Sequence, residues 1–285
     1  MPMLDRIREL MAPPPGMAFD FSQPAGEPAL APRDGVAWQV FANPVALFIG
    51  GVAAVLLELA EPSVRAGVWD HSSFRRDPVM RLRRTGFAAM MTVYGPRTAA
   101  EALIARVVRM HGRVEGSTPD GGRYHASDPR LLDWVHATAT FGFTEAYHRY
   151  VRKLSAAEKD AAFAEGRPAA LLYGADGSPA SWHEWEALLA ATAPGLRGSE
   201  TLDAFLHTMD AAPIAPAPLR RLQSLLLRAA VEIVPEPVHS LPELRGRGLR
   251  PGEGWLVGAL ARSAGLLPLG DTPPVQAARR LGAPA

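Results

Sequence analysis

The chain has eight histidines and no cysteine, so a metal would be held here by imidazole or carboxylate and not by thiolate. Cys-ligated zinc, iron–sulfur clusters, disulfides and cysteine nucleophiles drop out together. No two histidines are spaced His-x-x-x-His, which removes the zinc-hydrolase signature. No Gly-x-Ser-x-Gly elbow marks a serine hydrolase, and the glycines at 112–122 lack the Lys-Ser/Thr of a phosphate loop. What remains is single histidines on separate elements. His71, His111 and His136 lie in apolar or motif-like surroundings, whereas His125, His148, His183, His207 and His239 read as surface or capping residues.

His111 belongs to the stretch TAAEALIARVVRMHGR, residues 98–113. Thr98 followed by Glu101 predicts a capping box, and Gly95-Pro96 stops whatever precedes it. At helical spacing Ile104, Val108 and His111 share one line, flanked by Leu103, Val107 and Val114, with Arg106, Arg109 and Arg113 opposite. A histidine on such a stripe is either a buried neutral imidazole bonded to a backbone carbonyl or a metal or haem ligand. Spacing alone favours the first. An apolar wall also suits a porphyrin face, and the local pattern leaves both readings open.

A second group lies on the helix expected from Asp77-Pro78 to Tyr94. Arg81, Arg84, Thr85, Ala88 and Thr92 fall along one side, where a plain core helix would carry large aliphatics. Cations in a first turn oppose the helix dipole, so this line expects an anionic partner. His136 recurs with Leu132, Ala139 and Phe143 on a long helix opened by Asp128-Pro129, and is expected to brace neighbouring helices.

The elements that must position these residues are helical throughout. An apolar helix spans 44–59 and ends at Glu61-Pro62; Ser155 with Glu158 and Ser181 with Glu184 predict two more capping boxes; further helices are expected at 218–233, 254–264 and 274–281. No sustained stretch alternates with period two, so the expected fold is all-α, a single-domain helical bundle. Residues 1–35 read as a short helix at 4–11 followed by a Pro-rich extended segment, a wrap or a linker, at 13–34, and residues 36–285 as the domain proper. Net charge is +1 with basic residues scattered, so no nucleic-acid footprint is present. The longest apolar run, 45–57, is short of the roughly 20 residues of a membrane span. MPMLDRIREL carries charges where an export signal needs an apolar core, which predicts a cytoplasmic protein.

Six segments occur in a telling order: Val36-Ala37-Trp38, GVWDHSSF at 67–74, RLRRT at 81–85, VRMHGRVEG at 108–116, YHASDP at 124–129 and LLDWVHAT at 131–138. Together they resemble the family that contains the latex clearing proteins, which are rubber oxygenases, and the mycophenolic-acid-pathway oxygenase, over residues 36–154. The resemblance implies an all-helical fold enclosing haem b, with His111 as the iron's proximal ligand. It places Arg81, Arg84 and Thr85 on the distal face, with Ala88 further along the same line against the cofactor. Arg84 stands where the rubber oxygenases have lysine. Arginine stays protonated and offers only donors, so the expected distal position is open or water-filled, with Arg84 bonding bound oxygen or a propionate. Arg81 is the other propionate candidate, and Thr85 leaves room for oxygen.

The implied activity is a haem b-dependent oxygenase using dioxygen on an apolar small molecule, an isoprenoid or lipid-like alkene. A haem-binding gas or redox sensor or carrier without turnover is the alternative. A helical relative that has lost haem and binds only an apolar ligand is a third. Rubber itself is a poor fit, because an extracellular polymer demands export.

Overall fold

Local chemistry starts most of the helices where the sequence places them. The computed structural model describes residues 14–214, 220–266 and 270–282; the helix expected at 4–11 lies outside the described residues. Helix α1 (Val36–Phe41) leads into α2 (Pro44–Ala60), α3 (Pro62–His71), α4 (Pro78–Tyr94) and α5 (Arg97–His111). A two-stranded antiparallel hairpin follows, β1 (Glu115–Ser117) paired with β2 (Arg123–His125) so that Gly116 faces Tyr124. Then come α6 (Pro129–Tyr150), α7 (Ala156–Tyr173), α8 (Trp182–Thr192), α9 (Glu200–Ala211), α10 (Arg220–Ile233), α11 (Glu253–Ala264) and α12 (Pro273–Arg280). The all-α reading holds, with the hairpin added where a loop was expected.

Asp77 caps α4 through the N–H of Met80, Asp128 caps α6 through that of Arg130, and Ser155 with Glu158 completes a reciprocal box on α7. Ser181 accepts from Glu184 N, but the Glu184 carboxylate turns to Ala180 N, so only half of that box forms. The box expected at Thr98 and Glu101 does not form. Helix α5 starts at Arg97, and the incoming strap supplies its partners: Arg97 N donates to Pro28 O at 2.8 Å and Thr98 N to the Glu27 carboxylate at 2.7 Å. A tertiary acceptor has displaced the local one.

Helices α2 and α6 form the centre. They cross at glycines: a Cβ at Gly50 would stand 2.6 Å from the carbonyl of Gly142 and from Phe143 Cα, so the backbones touch. Trp134 on α6 is buried, donates to Leu57 O at 3.2 Å and stacks on Trp185 of α8 at 5.7 Å. The run 45–57 is thus a buried core helix. No single helix among the described residues is long and apolar enough to cross a membrane.

Residues 14–34 wrap this core without helix. Phe21, Ala29 and Ala31 are buried with Trp38, Met91, Tyr94 and Ala277 in a second apolar cluster. Arg280 of α12, 2% exposed, donates to the carbonyls of Phe21, Glu27 and Tyr94 at 2.6 to 2.8 Å. The strap is therefore tied at once to the end of α4 and to the start of α5.

Candidate active site

Helix α4 ends packed and begins loose. Met91, Val93 and Tyr94 are buried near its C-terminus, whereas none of residues 78–90 is. Arg81, in the first turns, is half-buried, and its charge is felt by Glu58 near the end of α2 and by His111 in the last turn of α5. Burial pushes the Glu58 carboxyl up to about 7, with Arg81 pulling the other way. Burial also lowers Arg81 from its ordinary value, opposed by Glu58.

His111 is pushed down, first by burial and then by the positive Arg81. His136 on α6 is pushed down to about 4, by burial and then by His111. An electrostatic chain therefore runs Glu58, Arg81, His111, His136 across α2, α4, α5 and α6. All four side chains are half-buried, so solvent still reaches each of them. Both imidazoles are neutral near pH 7, which leaves each a lone pair.

None of the described residues hydrogen-bonds a ring nitrogen of His111 or His136. The core-histidine reading requires a carbonyl acceptor, and none is supplied. His136 does brace its neighbour, its ring lying 4.9 Å from that of Tyr173 on α7. Burial raises the Tyr173 phenol, with Thr92 pulling the other way, and the Thr92 hydroxyl donates to Ala88 O at 2.9 Å. The line of small residues on α4 is thus felt by Tyr173 of α7.

The expected site residues divide. Arg81 and His111 come together, and Ala88 is half-buried on the same helix as Arg81. Arg84 and Thr85 are exposed; Thr85 Oγ1 donates to Arg81 O at 2.9 Å, and Arg84 makes no ion pair among the described residues. Ile104 is buried and Leu103, Val107 and Val108 half-buried, with Arg106, Arg109 and Arg113 exposed, as the stripe requires. Met110, next to His111 in the chain, is 52% exposed.

Sequence reasoning missed Glu58 and Tyr173. Glu58 carried a signal, being the one charged residue in PVALFIGGVAAVLLELA. Tyr173 carried none, since its role depends on how α7 packs. His71 is exposed with its ring edge toward Tyr124, 6.5 Å away, and enters no contact with the His111 group. His125 and His148 accept backbone N–H groups of Ser127 and Leu154, while His207 and His239 lie beside Asp203 and Glu236, all structural or surface roles.

Among the described residues no three His, Asp or Glu side chains converge to hold a metal ion. A porphyrin iron asks less of the protein: one neutral imidazole and a cation for a propionate, in apolar walls. His111 is such an imidazole and Arg81 such a cation.

No curated protein and no solved structure matches the chain. The family described as "ER-bound oxygenase mpaB/B'/Rubber oxygenase, catalytic domain" matches residues 38–265, well past the segments in which the resemblance was read and through most of the helical body. With four-fifths of its length inside that match, the chain belongs to the mpaB/rubber oxygenase catalytic-domain family.

Proposed function

We propose that this chain is a haem b-dependent oxygenase acting with dioxygen on an apolar small molecule, an isoprenoid or lipid-like alkene. One observation carries the reading: a half-buried, neutral His111 imidazole that no described residue hydrogen-bonds, within electrostatic range of the half-buried Arg81 guanidinium on the loosely packed start of α4. Haem held there supplies the redox chemistry that activates dioxygen, which no side chain of this protein can supply alone.

The protein's own share is positioning and charge. His111 offers its lone pair at neutral pH because burial and Arg81 both disfavour its protonation. Arg81 holds an anionic group such as a propionate, with Glu58 able to take up a proton when that anion competes for the guanidinium. Arg84 stays charged and, from its exposed position, offers donors at the outer end of the site. Met110 and the half-buried Val107 and Val108 give an apolar approach.

The test is a visible absorption spectrum of wild type and His111→Ala, as isolated and after haem titration. A Soret band that moves on reduction and with carbon monoxide, and that is lost or altered in His111→Ala, supports the assignment. Absence of binding after reconstitution removes it. Haem bound tightly with no product from an alkene and dioxygen turns the reading to a sensor or carrier.

A further inference from the structure

Helix α11 is apolar on the wrong side as well as the right one. Val257, Gly258, Ala261 and Ala264 are buried against the core. Trp255, Leu256 and Leu266 are nonetheless 71%, 49% and 85% exposed. At helical spacing Trp255, Ala259, Arg262 and Leu266 lie on one line, and the sequence continues as Leu267-Pro268-Leu269. A tryptophan standing out this far has no packing reason to be there.

The surroundings are cationic. An open groove of about 360 Å³ borders Gly254 and is lined by Arg149, Arg250 and Glu232 among others. The carboxylates in and beside it are already engaged. Glu253 is held by Arg228 through two hydrogen bonds, and Glu232 accepts Leu249 N at 3.1 Å and lies 3.9 Å from Arg149. Arg250 and Arg262 make no ion pair among the described residues and are exposed.

We propose that the outer face of α11 docks on a bilayer containing anionic lipids, Trp255, Leu256 and Leu266 entering the interface and Arg250 and Arg262 meeting the headgroups. Aromatic rings with a polar edge settle at the headgroup boundary, and long cationic side chains flank them. A second copy of the chain is a poorer occupant. Three side chains offer only a few hundred Å², against about 800 Å² per partner in a stable dimer. A two-fold contact centred on this face would also bring Arg250 and Arg262 of both copies together. This inference does not depend on haem; it places an apolar-substrate enzyme at the phase where such substrates collect.

The experiment is vesicle flotation of the full chain with phosphatidylcholine alone and with phosphatidylcholine plus phosphatidylserine, alongside size-exclusion light scattering. Wild type is expected to float with the anionic vesicles at least about tenfold more than with the neutral ones, weakening with salt. Trp255→Ser with Leu266→Ser should lose binding to both. Arg250→Gln with Arg262→Gln should lose the anionic preference. All four positions are exposed, and unchanged circular dichroism and melting certify each variant. Wild type that stays unbound with both vesicles overturns the proposal, as does binding that neither double variant alters. A dimer that Trp255→Ser dissociates assigns the face to a second copy instead.

Discussion

The Glu27 carboxylate accepts the backbone N–H of Thr98 at 2.7 Å, so the helix that carries His111 in its last turn is capped at its first turn by a strap 71 residues upstream. Helix α5 has no capping side chain of its own, its N-cap being Pro96. The start of the His111 helix is thereby coupled to residues that never approach the site.

Removing that cap gives the first prediction. Glu27 is held below the ordinary carboxylate range, chiefly by its bonds to Thr98. A depressed carboxylate contributes stability that is present above its unfolded value and lost as pH falls through the folded one. Glu27→Gln should therefore melt below wild type at neutral pH, and the two curves should converge on acidification. Thermal unfolding followed by circular dichroism across pH 2 to 7 reads this.

Glu58 and His136 should tilt the pH dependence of stability in opposite directions. Glu58 titrates at about 7 in the fold against 4.5 for its ordinary value, so the folded state holds the extra proton and stability falls as pH rises across that window. His136 titrates at about 4 against 6.5, so the unfolded state holds the extra proton and stability falls as pH drops through its window. Glu58→Gln and His136→Leu should each remove one slope, a change on the order of 2 kcal/mol at the far end. Urea unfolding at pH 4.5, 5.5 and 7 separates them; parallel profiles in both variants would sink the assignment.

Arg81 should set the titration of His111. Its charge lowers the imidazole and opposes the rise of Glu58. In Arg81→Gln, His111 should move up toward the ordinary histidine value and Glu58 should move further up, as read by NMR titration of the imidazole and carboxyl resonances. An unmoved His111 would show that burial alone is responsible.

Adjacent glycines should answer differently to alanine. A Cβ at Gly50 would stand 2.6 Å from the α6 backbone, whereas one at Gly51 would meet only the Phe143 ring at 3.6 Å. Gly50→Ala, like Gly142→Ala across the same crossing, should cost about 3 kcal/mol, because backbone has no rotamer by which to yield. Gly51→Ala should be near neutral or slightly stabilising. Denaturant midpoints distinguish them.

Replacing Arg280 by Met should leave the carbonyls of Phe21, Glu27 and Tyr94 buried without a donor. The expected loss is about 2–4 kcal/mol, with hydrogen exchange accelerating in the strap and in the first turn of α5 before the α2–α6 centre. Arg280→Lys should recover only part, since an ammonium cannot span three carbonyls in the guanidinium's plane.

Much of the molecule was legible in the chain itself. Asp77-Pro78, Asp128-Pro129 and Ser155 with Glu158 start helices by contacts within four residues, so the sequence determines them whatever surrounds them. The stripe Ile104, Val108, His111 follows from helical period alone, and the ordered motifs around it carried the family. Tertiary structure decided what depends on distant partners. Thr98 lost its box because Glu27 reaches the same N–H, Gly50 matters because Gly142 lies against it, and His136 feels His111 because α5 and α6 both pack on α7. Even Glu58, visible as a lone charge in an apolar helix, drew its meaning from Arg81, which only packing set near it. Hydrogen bonds and burial that span short stretches are written in local spacing; those that span the fold are set by which helix faces meet.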